Sequence, residues 1–119
     1  MTNPVQATIR WLDAADGGRK SIPTGPKYQT VARFEDERDR WPQEAWDLVV
    51  QFVRPLDQAG RVMLTRVCFN SDQAPMEMLK PGARFELREG ARIVAKGVVL
   101  PQTVRVPDHI DDFAAALLG

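Results

Sequence analysis

Three arginines stand beside glycine in turn-like segments. Arg19 follows Gly17-Gly18, and Arg88 and Arg92 bracket Glu89-Gly90-Ala91. An arginine next to glycine can offer its planar guanidinium to a phosphate or carboxylate while the bare backbone lets the ligand approach closely. A second reading stands beside it: Arg88 and Arg92 paired with Glu86 or Glu89 as ordinary surface ion pairs. Trp41 and Trp46 flank a Pro-Gln-Glu-Ala segment, and tryptophan is enriched at the anchoring centres of interfaces. Trp46 opens an apolar run and suits a core. Trp41 follows a run of charges and suits either role.

Covalent and acid-base chemistry have little to work with. Ser21 and Ser71 lie in no Gly-x-Ser-x-Gly elbow, and His109 sits beside Asp108 at the expected start of a helix, where an exposed histidine of the capping turn is the simpler reading. The single cysteine, Cys68, lies in an apolar run and reads as a small buried hydrophobe rather than a nucleophile served by that histidine. No carboxylate pair stands in an apolar frame that would raise one pKa. One cysteine and one histidine supply no zinc set and no internal disulfide. A Gly-x-x-x-x-Gly-Lys-Ser/Thr phosphate loop is missing, so no GTP binding is expected. The expectation is a non-enzyme with no cofactor and no metal.

These side chains must be positioned by short strands. Val5, Ala7, Ile9 and Trp11 alternate with Gln6, Thr8 and Arg10, the period of a half-buried strand. After turn signals over Asp13–Gly18 and Pro23–Pro26, Tyr28, Thr30, Ala32 and Phe34 form the inward set of a second strand. Glu35–Arg40, a six-residue run of charges of both signs, reads as a solvated loop or short helical face. Trp46–Val53 and Arg61–Phe69 are rich in β-branched and aromatic residues and read as an antiparallel pair. Met76–Leu79 is a candidate short strand, Lys80-Pro81-Gly82 a turn, and Gln102–Val106 a candidate last edge strand. From Asp108 the pattern changes: Ile110, Phe113, Ala114 and Leu117 fall on one helical stripe over 108–119.

The segment Phe85–Leu100 is a hairpin. Phe85 and Leu87 share one face of its first run, and Ile93, Ala95, Gly97 and Val99 one face of its second. Both faces must meet one core. Pairing Leu87 with Ile93 and Phe85 with Ala95 then requires an odd loop, either Glu89–Ala91 or Arg88–Arg92. The longer loop is preferred because it keeps Arg88 from standing opposite Arg92. Gly90 is expected at positive φ, and Gly97 at a bulge, a sharp bend or a close backbone approach.

With 119 residues the chain suits one domain. Basic and acidic residues balance at 16 each, so no whole-molecule field draws it to a polyanion, although a local basic patch remains open. The N-terminus lacks the basic start and apolar core of a signal peptide, and no apolar run approaches membrane-spanning length, which makes a cytoplasmic location the expectation.

The Phe85–Leu100 segment, FELREGARIVAKGVVL, is similar to the closing hairpin of the C-terminal, third β-barrel domain of translation elongation factor Tu, with its Phe-x-x-Arg-Glu-Gly-Gly-Arg-x-Val-x-x-Gly-Val-Val pattern. Trp11-Leu12, Asp16-Gly17-Gly18-Arg19, Gly25 and Tyr28-Gln29 resemble, in the same order, an earlier strand, Glu-Gly-Gly-Arg turn and Gly-Tyr-Arg-Pro-Gln-Phe segment of that family. Ala74-Pro75-Met76 resembles its His-Pro-Ile/Val step. The family's Met-Pro-Gly-Asp motif has no counterpart, and the Arg-Pro pair after its tyrosine is missing, Lys27 preceding Tyr28 here. The resemblance covers about a third of the chain. It implies a closed antiparallel Greek-key-type barrel of about six strands over 1–107 with a short C-terminal helix over 108–119 packed on it.

In the family this barrel is not the GTPase. It packs on the GTP-binding domain and the middle barrel, touches the T arm of aminoacyl-tRNA and contacts the exchange factor. The tRNA contact maps by resemblance to Arg88, Glu89 and Gly90, and the domain-packing segment to Gly25, Tyr28 and Gln29. The expected function is therefore a stand-alone, non-catalytic binding module acting through a partner. The expected contact residues are Gly17, Gly18, Arg19, Tyr28, Gln29, Trp41, Arg88, Glu89, Gly90 and Arg92. A protein partner comes first, and weak tRNA binding second. The alternatives are an inhibitor or immunity protein outside translation and an enzyme of unknown type.

Overall fold

A computed structural model of the protein describes residues 4–23, 25–35 and 45–101. Strands β1 (Val5–Trp11), β2 (Lys27–Phe34), β3 (Trp46–Pro55), β4 (Val62–Phe69), β5 (Arg84–Glu89) and β6 (Arg92–Val99) form where apolar alternation runs between Gly and Pro breakers. They close on themselves in the order β1-β4-β3-β2-β5-β6, every pairing antiparallel. β2, β3 and β4 are a meander, flanked by β5 beside β2 and β1 beside β4, which is Greek-key connectivity. Closure leaves no open sheet edge. The expected helix over 108–119, the edge strand Gln102–Val106 and Trp41 lie outside the described residues.

Alternation sends Ala7, Ile9, Trp11, Ala32, Phe34, Leu48, Val50, Val67 and Phe69 inward, all buried. The one buried polar side chain among their inward neighbours, Thr65, donates its hydroxyl to the Ala7 carbonyl at 2.8 Å. Phe34 stacks against Phe69 and Phe85, ring centroids 5.8 and 5.4 Å apart. Ala74, Met78, Leu79 and Ala83 join the same core from the β4–β5 connection.

Two expectations are corrected here. Met76–Met78 is a turn of 3-10 helix rather than a strand, closed by Met78 N–H to Pro75 O at 3.0 Å and Leu79 N–H to Met76 O at 3.1 Å. A strand would point Met78 and Leu79 to opposite faces, whereas the turn buries both.

The hairpin register also differs from expectation. Glu89 stands opposite Arg92 across a two-residue Gly90-Ala91 turn, with Gly90 at φ 64 and Ala91 not at positive φ, as a type II′ turn requires. Continued without interruption, that register would set Leu87 against Val94 and turn Ala95, Gly97 and Val99 outward. A β-bulge absorbs the mismatch: Arg88 pairs with Ile93, Leu87 with Ala95 and Phe85 with Gly97, leaving Val94 as the extra residue. Val94 and Ala95 are both fully buried, and Ile93 is displaced from the core set. Gly97 takes the close approach among its expected roles, since a Cβ there would lie 2.3 Å from the Phe85 ring.

Candidate functional site

The two glycine-arginine turns meet at one rim of the barrel. After β1, Asp13 caps a short 3-10 turn, its carboxylate accepting the Asp16 N–H at 2.9 Å, and Gly17 ends that turn at φ 86. Gly18 then packs directly on the Leu12 carbonyl, which a Cβ would approach to 2.1 Å. This fold-back directs Arg19 across the barrel end to the β5–β6 turn. Its Nη1 donates to Glu89 Oε2 at 2.5 Å, its Nε donates to the Ser21 carbonyl at 3.1 Å, and its guanidinium lies 5.9 Å from the Tyr28 ring centroid.

Glu89 is the hub. Its Oε2 also accepts the Tyr28 hydroxyl, so one carboxylate oxygen ties β2, the β1–β2 connection and the β5–β6 hairpin together. Tyr28 packs edge-on against Trp11, centroids 5.4 Å apart, and Trp11 edge-on against Phe52 at 6.1 Å, which places an aromatic floor beneath the charged pair. Burial, then the hydrogen bond to Glu89, pushes the Tyr28 hydroxyl up to about 12, so it stays protonated and donating at neutral pH. Burial alone would raise the Glu89 pKa, but the hydrogen bonds from Tyr28 and Arg19, with the charges of Arg19 and Arg92, hold it below the ordinary carboxyl value. The hydrogen bond to Glu89 raises the Arg19 pKa in turn.

Gly17, Gly18, Arg19, Tyr28, Glu89, Gly90 and Arg92 are thus assembled at one end. Arg92 is exposed, stands opposite Glu89, and adds a longer-range attraction to it. Gln29 and Arg88 are placed elsewhere. Gln29 faces outward on the β2–β3 wall and donates to Asp47 Oδ2 at 3.0 Å. Arg88 is held against the wall by Glu86 Oε1 at 3.0 Å and the Ala91 carbonyl at 3.1 Å, which favours the ion-pair reading over ligand contact for that arginine. Sequence reasoning passed over Thr30, whose hydroxyl donates to the Arg88 carbonyl, and the supporting role of Trp11 and Phe52. Their signal was only that of inward strand residues, which every core position shares.

At this rim the carboxylate is held ionised by two donors, the phenol is kept as a donor, and the Arg92 guanidinium is exposed. Cys68 is buried, as expected, and no group of three or more potential metal ligands occurs among the described residues. No helix among them is long and apolar enough to cross a membrane. No protein-family model matches the chain, and no curated protein matches it.

Proposed function

We propose that the chain is a non-catalytic binding module similar to the third domain of elongation factor Tu, acting through a protein partner that docks on the rim of Arg19, Tyr28, Glu89 and Arg92. The observation that carries this reading is the Arg19–Glu89 contact at 2.5 Å between residues 70 positions apart. The two segments that resemble the family converge through it on one surface of a six-strand barrel. The half-buried Tyr28 and the exposed Arg92 are of the residue types that anchor protein interfaces. Balanced charge supports protein over tRNA, because few phosphate contacts are available at the rim.

The test uses the family's own partners. Immobilised protein is challenged by interferometry with the exchange factor, with the GTP-binding domain plus middle barrel, and with aminoacyl-tRNA across a salt series. Capture of either protein, weakened about tenfold or more by Arg92→Glu, is the expected result for a charge at an interface centre. Arg92 is chosen because Arg88 is tied into the hairpin wall. Silence with both proteins removes the elongation-factor reading, and tight tRNA binding with a steep salt slope that Arg92→Glu weakens removes the preference for protein at the rim.

A further inference from the structure

The outer wall of the barrel across β1, β6, β5 and β2 carries a second feature. Outward side chains of β1, β6, β5 and β2, with Glu35 just after β2, line a cavity of about 280 Å³: Arg10, Lys96, Arg84 and Arg33 against Glu86 and Glu35, over a floor that includes the buried Val98. Cations therefore outnumber carboxylates by four to two in a molecule whose net charge is zero.

The arrangement within that wall opposes stability. Arg10 on β1 is the direct cross-strand partner of Lys96 on β6, and like charges in that position are destabilising. Lys96 has Glu86 as its partner on the other side, which would ordinarily neutralise it. The Glu86 carboxylate is engaged elsewhere, accepting from Arg33 at 3.3 Å and Arg88 at 3.0 Å. Neither Arg10 nor Lys96 makes an ion pair among the described residues, and both are exposed. Successive strands are about 4.8 Å apart, so Arg10, Lys96 and Arg33 lie along a line of about 15 Å across the wall. Two linked phosphates suffice to bridge the neighbouring Arg10 and Lys96, and a longer chain of phosphates is needed to reach Arg33.

We propose that this groove is a binding site for a phosphate-bearing ligand, held between Arg10 and Lys96 with Arg33 and Arg84 further along. The ligand supplies the negative charge that the strand pairing lacks, and guanidinium groups match phosphate oxygens in planar, two-pronged geometry. Free oligophosphate and the backbone of a short RNA share this chemistry.

The experiment follows backbone amide resonances of the full chain during titration with inorganic diphosphate, with sodium chloride at matched ionic strength as control. A second titration uses a short single-stranded RNA. Saturable shifts confined to the Arg10, Arg84 and Lys96–Val98 amides are expected with at least one ligand. Affinity should fall about tenfold for each cation removed in Arg10→Gln, Lys96→Gln and the double variant. Diphosphate binding assigns the site to a small ligand, and binding of RNA alone assigns it to a nucleic-acid backbone. Relief of the like-charge pair predicts an unchanged or higher melting temperature for the double variant. The proposal is overturned by the absence of saturable shifts with both ligands, by affinity unaltered in the double variant, or by a melting temperature lowered more than about 5 °C, which would assign the cations to the fold.

Discussion

Removing the Glu89 carboxylate should loosen the rim as a unit, and a double-mutant cycle with Tyr28 measures how much. The Tyr28 hydroxyl bond has an ionised acceptor, and bonds of that kind contribute about 1.5–3 kcal/mol. Glu89 is 31% exposed, so the lower end of that range, about 1.5 kcal/mol, is appropriate. The Arg19–Glu89 pair, with side chains 32% and 31% exposed, is screened by water and adds about 0.5 kcal/mol. Glu89→Ala should therefore cost about 2 kcal/mol and lower the melting temperature by roughly 8 °C for a chain of this size. Tyr28→Phe should cost about 1.5 kcal/mol, and the double variant no more than Glu89→Ala alone, a coupling of about 1.5 kcal/mol. Urea unfolding of the four species at neutral pH gives each value from midpoints at a common slope. Additive losses, with coupling under about 0.3 kcal/mol, would refute the hub, because they would mean that the two side chains do not share one interaction.

The same network has two pH edges. The Glu89 pKa is lower in the folded state, so its contribution is complete above the ordinary carboxyl value and is lost as pH falls through the folded value; Glu89→Ala should flatten acid unfolding below about pH 4.5. The Tyr28 pKa is raised to about 12 in the folded state, so its contribution is complete below the ordinary value of 10.0 and fades as pH rises between the two, a loss that Tyr28→Phe should abolish in alkaline melts. At the other end of the hairpin, Gly97→Ala should cost about 2–3 kcal/mol by driving a methyl into the Phe85 ring, and Phe85→Leu in the same chain should recover part of that loss. A neutral Gly97→Ala in urea melts would contradict the close approach.

Much of the barrel was legible in the chain itself. Period-two alternation over Val5–Trp11 and Tyr28–Phe34 reports which side of each strand is apolar, because a sheet with one buried face leaves that mark on every second residue, and the β-branched and aromatic runs Trp46–Val53 and Arg61–Phe69 mark two further strands by residue type. Gly90 marks a positive φ for an equally local reason, whereas Gly97 signals only that a bulge, a bend or a close approach is needed, and the neighbouring strand decides for the close approach to Phe85. The arginines beside glycine were visible as candidates because composition alone exposes them. Register was not legible. The hairpin sequence admits several pairings that each bury an apolar face, and the choice falls to the fit of Gly97 beneath Phe85 and to the Gly90 turn, whose disagreement by one residue is absorbed at Val94. Residues 19 and 89 carry no mutual signal along the chain. Closure of the barrel brings their turns to one rim, and the same closure sets Arg10 beside Lys96. Local periodicity determines which face of a strand is buried, whereas strand order and register, long-range properties of the closed sheet, determine which exposed side chains become neighbours.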